Sequence, residues 1–187
     1  GFSARYYPNT FMFNVAGISC FPQKHLNYIL GLLNTPIVSS ITQILNPTIN
    51  MNAGDVAKVP IIISDEKEPT IQILVETVKN SSKHDWDSYE TSWDFKRHPL
   101  IRSVSRLTDA YAAWKDECEQ RFLQLKTNEE ELNRIFIVIY GLQDELTPDV
   151  ADKDVTVHRV FDTKDDVPQS MQGSNYVRTK RDEIVSL

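Results

Sequence analysis

The chain has 187 residues, of which 41% are hydrophobic and 10% aromatic. This composition is enough for one hydrophobic core and excludes a disordered chain. The formal net charge of −6 argues against a uniformly basic nucleic-acid-binding protein. Residues 1–63 nevertheless carry three basic residues and one acidic residue, whereas the rest of the chain has a net charge of −8. We therefore expect any contact with a polyanion in the first third of the chain.

The first predicted element is a β-hairpin close to the N-terminus. Phe11, Phe13 and Val15 alternate with polar or small residues, which is the period of a half-buried strand. The small pair Ala16 and Gly17 permits a turn into a second strand at residues 18–21. A small sheet is expected here.

Two helices are predicted next. From His25 the apolar spacing changes to that of an amphipathic helix, with Leu26, Ile29, Leu30 and Leu33 on its inward face. Thr35 and Pro36 suit the cap and first position of a second helix. Its predicted inward residues are Ile37, Ile41, Ile44 and Leu45. The pair Asn46 and Pro47 ends that helix.

A short strand and a third helix come after this pair. Residues 59–63 form a β-branched run typical of a strand, and residues 69–79 have helical periodicity. Residues 80–100 predict an ordered loop held by four aromatic side chains, namely Trp86, Tyr89, Trp93 and Phe95. These rings could instead stack on an unpaired base, but acidic neighbours would repel phosphate, so anchoring in a core is the favoured interpretation.

The next region is predicted to be two long helices. One apolar face extends over about five turns, through Leu107, Tyr111, Trp114, Cys118, Phe122 and Leu125. Asn128 and Glu131 form a start signal for a separate fifth helix, which Gly141 would end. Beyond it, residues 155–157 are a strand candidate, and residues 177–187 resemble the opening of a helix.

The predicted fold is therefore α+β and predominantly α-helical, with a small β-hairpin or sheet near the N-terminus followed by packed helices. We divide the chain into residues 1–63, a helical spacer at residues 64–147, and an acidic connection with the start of a C-terminal helix at residues 148–187. Both ends of the sequence are expected to be internal to a longer protein.

The sequence contains no recognisable catalytic or metal-binding motif. The four histidines are scattered, the six glycines form no phosphate-binding loop, and no nucleophile elbow is present. The two cysteines, Cys20 and Cys118, are expected to be reduced packing residues. Asn46, Pro47 and Thr48 lack the second proline and the aromatic ring with which amino-methylating DNA enzymes hold a flipped base. We expect neither catalytic residues nor a metal in this chain.

The expected surroundings are intracellular. No apolar run approaches the roughly 20 residues of a membrane-spanning helix, and the first residues do not form a signal peptide. We therefore expect a cytoplasmic protein that does not contact membranes.

Several blocks of sequence resemble known DNA methyltransferases. SARYYP at residues 3–8, FNVAGISCF at residues 13–21 and LNYILGLLN at residues 26–34 resemble the closing part of a target-recognition domain. DWDSYETSWDF at residues 85–95 and the region 128–142 resemble the large adenine-specific methyltransferase of bacteriophage-exclusion (BREX) defence systems. The resemblance covers nearly the whole chain.

The resemblance implies a parent enzyme that methylates adenine N6 in double-stranded DNA with S-adenosylmethionine. It places the donor site and the base-holding motif upstream, so this chain would hold no cofactor itself. The candidate DNA contacts in the first third are Arg5, Tyr6, Lys24 and Lys58. The alternative interpretation is that Arg5 is a surface arginine covering its neighbours and that Lys24 and Lys58 are solvated lysines. Two hypotheses remain: a DNA-recognition and spacer segment, or an assembly module that binds other defence-system subunits and never contacts DNA.

Overall fold

The structure is a computed structural model, and it describes residues 2–8, 12, 17–46 and 52–187. The described helices are α1 (Leu26–Leu33), α2 (Pro36–Leu45), α3 (Ala53–Val56), α4 (Glu68–Asp87), α5 (Leu107–Tyr140) and α6 (Lys180–Val185). The strands are β1 (Arg159–Phe161) and β2 (Val177–Thr179), and there are single 3-10 turns at Asp152–Asp154 and Gln169–Met171. The chain forms two compact units. Unit 1 consists of residues 1–76 and 130–149, and unit 2 of residues 77–129 and 150–187, so α4 and α5 contribute residues to both.

The prediction of a sheet near the N-terminus is wrong. In the described part of the chain, the only sheet is the parallel pair of β1 and β2 in unit 2. Residues 18–21 form no strand, and Phe11, Phe13 and Val15 lie outside the described residues. Alternating apolar residues indicate only that a strand is possible, because a strand also needs a partner with a matching register.

The β-branched run just before α4 was also predicted as a strand and forms none. Two tyrosine hydroxyls bind its backbone instead. The Tyr28 hydroxyl donates to the carbonyl oxygen of Ile62 at 2.8 Å and accepts from the amide of Ser64 at 3.2 Å. The Tyr140 hydroxyl donates to the carbonyl oxygen of Pro60 at 2.6 Å and accepts from the amide of Ile62 at 3.2 Å. Side chains thus satisfy polar groups that a sheet would otherwise pair.

Helices α1 and α2 are present, but among their predicted inward residues only Ile37 is buried. The buried residues of α1 are Tyr28, Gly31 and Leu32, and those of α2 are Ile37, Val38 and Thr42. The predicted core residue Ile44 is 82% exposed. Apolar residues occupy almost every side of α1, so periodicity alone could not select the buried stripe.

Gly31 sets how closely α1 packs in unit 1. A Cβ atom at this position would lie 2.9 Å from Cγ2 of Val75 and 3.4 Å from the Phe136 ring. The rings of Tyr28 and Phe136 meet edge to face with centroids 5.1 Å apart. Glycine therefore allows a close approach that fixes the position of Tyr28 and its hydroxyl.

The predicted fourth and fifth helices are a single helix of 34 residues, α5. Asn128, the expected start of a separate helix, is buried within α5, and its side-chain oxygen accepts a hydrogen bond from Gln124 at 2.9 Å. No proline or glycine occurs in this helix, so nothing in its backbone forces a break. The stop at Gly141 is confirmed by its φ of +68° and by the two backbone hydrogen bonds of a Schellman motif.

Unit 2 is built on the apolar face of α5. The predicted stripe is buried with one exception, since Leu107 is 46% exposed. One cluster contains Tyr89, Leu100, Ala110, Tyr111, Trp114, Cys118 and Val160, and a second contains Phe122, Leu125, Val155, Val157, Phe161 and Met171. The expected C-terminal helix is confirmed as α6, which begins at a capping box formed by Thr179 and Asp182.

A fully buried carboxylate joins α6 to this core. Glu183 has no exposed surface, and it accepts a hydrogen bond from the indole nitrogen of Trp114 at 2.8 Å. Its other oxygen accepts from the guanidinium of Arg178, whose charged group also lies 4.4 Å from the centre of the Tyr89 ring. A buried charge is tolerated only with such partners.

Replacing the hydroxyl of either tyrosine should release a specific backbone group of unit 1. Tyr140→Phe should speed hydrogen exchange of the Ile62 amide, and Tyr28→Phe that of the Ser64 amide, each with a loss of about 1 kcal/mol in the free energy of unfolding. Residue-resolved amide exchange measures this. Each variant is the control for the other. If the exchange rates of the Ile62 and Ser64 amides are the same in the original protein and in both variants, the tyrosine hydroxyls do not protect these amides.

Glu183→Ala should lower the free energy of unfolding of unit 2 by about 3 kcal/mol or more, because it leaves Arg178 and the Trp114 indole without their buried acceptor. Glu183→Gln should cost less, since the amide oxygen can still accept one hydrogen bond. Denaturant titration followed by Trp fluorescence checks the order. The control is Asp165→Ala, which removes an exposed carboxylate, and a loss as large in the control would refute the interpretation.

Unit 2 should also lose stability in mild acid. Burial lowers the pKa of His98 below its usual 6.5, although Glu183 at 3.9 Å opposes part of this shift. Below pH 6.5 the unfolded chain takes up a proton that the folded imidazole resists, so the His98 contribution is complete above pH 6.5 and is lost as the pH falls towards the folded pKa. Melting temperatures at pH 7.5 and 5.5 should differ less in His98→Gln than in the original protein. The same difference in both would exclude this role.

Candidate functional site

The first candidate contact, Arg5, lies on a segment that is fixed to the end of α1. The Asn34 side chain accepts from the Ala4 amide and donates to the Ala4 carbonyl oxygen, both at 3.0 Å. The same amide group also donates to the carbonyl oxygen of Leu30 at 2.9 Å. Arg5 and Tyr6 come directly after this anchor and are both exposed. Within the described residues Arg5 makes no ion pair, so its guanidinium is available to an external anion.

Lys24 lies at the opposite end of α1. The next residue, His25, has a left-handed backbone with φ of 60°, and its Nδ1 lies 2.6 Å from a carboxylate oxygen of Glu68. This contact fixes the chain where α1 begins. Lys24 itself is exposed and has no ion pair in the described part of the chain.

Lys58 is the weakest of the predicted contacts. Its ammonium group lies 3.6 Å from Asp55, whose other carboxylate oxygen accepts a hydrogen bond from Asn46 at 2.8 Å. The hydrogen bond from Asn46 is the main cause that holds the pKa of Asp55 below its usual value. Lys58 is thus already near an anion. Asn46 has a structural role as the residue that ends α2, as the sequence predicted.

The predicted residues do not form one compact patch. Arg5 and Tyr6 lie beside the anchor at the C-terminal end of α1, and Lys24 precedes its N-terminal end. An eight-residue helix is about 12 Å long. Unit 1 therefore presents separated cations on a rigid helix, which suits contacts with several phosphates better than a pocket for one small anion.

The aromatic segment at residues 80–100 matches its prediction only in part, because α4 extends to Asp87 and includes Trp86, so the predicted loop begins only after residue 87. Tyr89 is buried in unit 2 and Phe95 is half-buried. Trp86 is 54% exposed and Trp93 is fully exposed, at 103% of its reference area. The interpretation of all four rings as core anchors is wrong for these two tryptophans. Surrounding sequence could not distinguish them, because all four rings have similar polar neighbours.

Unit 2 also contains a carboxylate–histidine cluster that the sequence did not indicate. Asp85 is buried, and its two oxygens contact Nδ1 of His158 at 2.7 Å and the guanidinium of Arg121 at 3.2 Å. The His158 ring packs against Tyr89 at 4.5 Å and Tyr176 at 5.3 Å. The pair resembles the base of a catalytic triad, but in the described residues no nucleophile is bonded to the other ring nitrogen. Its position indicates a structural role, and no sequence signal links residues 73 positions apart.

Neither cysteine provides an activated nucleophile. Burial raises the pKa of the Cys118 thiol to about 12, which keeps it protonated at neutral pH. Cys20 is exposed. Among the described residues, no group of three or more His, Cys, Asp or Glu side chains is arranged to hold a metal ion.

The helices differ from membrane spans in length and composition. In the described part of the chain, no single helix is both long and apolar enough to cross a bilayer. Helices α1 and α2 meet the criterion only when taken together, and the pair is bent by 68°.

The chain has two informative relatives, while no family model matches it. It is 42% identical over 166 residues to the adenine-specific methyltransferase PglX of Lacticaseibacillus casei (strain Zhang), over 84% of this chain and 14% of PglX. It is 30% identical over 151 residues to the adenine-specific methyltransferase BrxX of Escherichia coli O9:H4 (strain HS), over 79% of this chain and 12% of BrxX. The chain thus spans a small fraction of the length of these relatives. The resemblance to BREX enzymes is confirmed, and the chain belongs to the family of BREX adenine-specific methyltransferases, of which it matches one segment.

Proposed function

We propose that this chain is a non-catalytic segment of an adenine-specific DNA methyltransferase, in which unit 1 contacts duplex DNA or supports the part that does. The main support is the alignment with two adenine-specific methyltransferases over 84% and 79% of this chain. The parent would transfer a methyl group from S-adenosylmethionine to adenine N6 in phage defence. The donor site would lie in the much longer remainder of such a protein.

The division of labour derives from how DNA sequences are read. An enzyme that modifies one adenine in a chosen sequence adds contacts with base edges to non-specific contacts with phosphates. Both kinds of contact need a rigid support. In this proposal residues 1–63 end the target-recognition domain, residues 64–147 are the spacer, and residues 148–187 are an acidic connection with the start of a C-terminal helix.

Unit 1 has the features that phosphate contacts require. Arg5 is held next to a backbone segment anchored by Asn34, and Lys24 precedes a helix whose start is fixed by His25 and Glu68. Both cations are exposed and have no ion pair in the described residues. Lys58 would have to exchange its contact with Asp55 for a phosphate. We therefore rank Arg5 and Lys24 above Lys58.

The assembly hypothesis is supported by the charge of the rest of the chain. Residues 64–187 carry a net charge of −8, which repels phosphate and suits a basic surface on another defence-system subunit. The two hypotheses differ in how the affinity for duplex DNA should depend on salt. Contacts between unit 1 and phosphate predict an affinity that falls as salt rises, whereas an assembly module predicts no such dependence on unit 1. Ionic strength is therefore the variable that separates them.

Binding of duplex DNA by the complete parent protein should weaken as salt rises. Arg5→Ala should lower the affinity and reduce the slope of log K against log salt by about 0.9, the value for one phosphate contact. The same substitution should reduce adenine methylation at the target site. The control is Arg181→Ala, which removes an exposed arginine of α6 in unit 2.

Fluorescence anisotropy with a labelled duplex, from about 50 to 200 mM KCl, covers the range in which phosphate contacts are lost. If Arg5→Ala and Lys24→Ala change neither the affinity for duplex DNA nor the slope of log K against log salt, unit 1 does not contact DNA. That result would favour the assembly module. Methyl transfer to adenine by the 187-residue chain alone would contradict its non-catalytic role.

A further inference from the structure

Trp93 is held away from the core of unit 2 by an ordered turn. Ser92 is buried, and its hydroxyl donates to Asp87 at 2.6 Å and accepts from the amide of Asp94 at 3.1 Å. The amide of Ser92 also donates to the carbonyl oxygen of Tyr89 at 3.0 Å. The turn is therefore fixed on both sides of a tryptophan that is fully exposed. The ring is therefore available for a flat partner to stack on.

Two acidic residues beside Trp93, Asp87 and Asp94, share one lysine as their ion-pair partner. The ammonium group of Lys83 lies 2.7 Å from Asp87 and 2.6 Å from Asp94. Its hydrogen bond to Asp87, and then that to Asp94, raise the pKa of Lys83 and keep it charged. The repulsion of phosphate that the sequence suggested around Trp93 is therefore reduced, because one positive charge faces the two carboxylates.

A groove beside this turn contains cations that no carboxylate satisfies. The groove has a volume of about 420 Å³, and its acidic lining residues are Asp87, Asp94 and Glu117. Glu117 is paired with both terminal nitrogens of Arg102 at 2.7 and 3.1 Å. The remaining lining cations, Lys96 and Arg97, are exposed and form no ion pair within the described residues.

We propose that Trp93, which does not itself line the groove, and the groove cations Lys96 and Arg97, three and four residues further along the chain, together form a surface that binds an unpaired strand of nucleic acid. A base stacks on the free face of Trp93, and the adjoining phosphates contact the two cations. Aromatic rings combined with unpaired cations are the usual means of binding single strands. The inference goes beyond the proposed function, which concerns duplex DNA and unit 1, and it relies on that function only for the choice of DNA over RNA.

A phosphate-bearing strand fits these observations better than an acidic peptide. Both faces of the Trp93 ring are open, and a base offers a flat surface to such a ring, whereas carboxylate side chains do not. Lys96 and Arg97 are neighbours in sequence, so together they can bind one phosphate or two successive ones. An acidic peptide would use the cations and leave the tryptophan unused.

The test measures binding of a fluorescein-labelled thymidine oligonucleotide of about ten residues to the 187-residue chain by anisotropy. Trp93→Ala should weaken binding about tenfold, in line with the stacking of one base, and Trp93→Phe should restore most of it. Lys96→Ala combined with Arg97→Ala should reduce the slope of log K against log salt by about 0.7 for each phosphate lost.

Matched controls separate the surface from general effects of charge and apolar area. Trp86→Ala removes another exposed tryptophan, and Lys153→Ala with Arg181→Ala removes two exposed cations elsewhere in unit 2. Each should leave binding unchanged. Circular dichroism of all variants should be the same, since every substituted side chain is on the surface.

Three results would overturn the inference: no binding of the oligonucleotide, equal losses in the control variants, or polyglutamate competing as well as the oligonucleotide. The last would identify an acidic protein as the partner. Arg5→Ala should leave single-strand binding intact. If duplex binding proves independent of Arg5 while the Trp93 variants still lose the oligonucleotide, the proposed function of unit 1 fails and this inference stands.

Discussion

The fold of unit 2 depends on one buried charge. Glu183 is the only carboxylate with no exposed surface among the described residues, and its oxygens are shared between an indole N–H and a guanidinium. Through Trp114 it fixes α6 against the apolar face of α5, and through Arg178 it fixes the strand that precedes α6. Because an unpaired charge in this environment is costly, loss of either partner of Glu183 should destabilise both elements. The same core contains Tyr89, whose hydroxyl is buried without a hydrogen-bond partner in the described structure, and which lies between the end of α4 and the turn that presents Trp93.

Local sequence signals were reliable where the backbone itself carries the information. Pro36 at the first position of α2, Gly141 after α5 and the apolar stripe of α5 could all be read directly. The helix start predicted at Asn128 was wrong, because a residue that often caps a helix can also be buried inside one. There Gln124 donates to the side-chain oxygen of Asn128, whereas the Asn128 side-chain nitrogen is buried without a hydrogen-bond partner in the described structure. The prediction of the buried face of α1 was wrong for another reason. When nearly every side is apolar, only the shape of the surrounding core, here the space beside Gly31, selects the buried stripe.

Contacts between distant residues were beyond the reach of sequence reasoning. Asp85 and His158 are joined at 2.7 Å although no motif relates them. Lys83 pairs with two carboxylates that looked repulsive in the linear sequence, and this reduces the negative charge on both sides of Trp93. Of the candidate DNA contacts, the structure leaves Arg5 and Lys24 exposed and brings Lys58 close to Asp55. Charge in a sequence is a sum over residues, whereas a binding surface depends on which charges remain after internal pairing.

The segment before α4 shows how a strand-like run can be kept in place without a sheet. The hydroxyl groups of Tyr28 and Tyr140 form hydrogen bonds only with main-chain atoms of this segment. These hydrogen bonds therefore do not depend on the identity of the side chains in the segment. Proline is acceptable at position 60, since that residue contributes only its carbonyl oxygen. Substitution of the isoleucines at 61–63 should therefore be tolerated better than loss of either phenol group. Related proteins should keep both tyrosines even where the sequence of the segment that they bind differs.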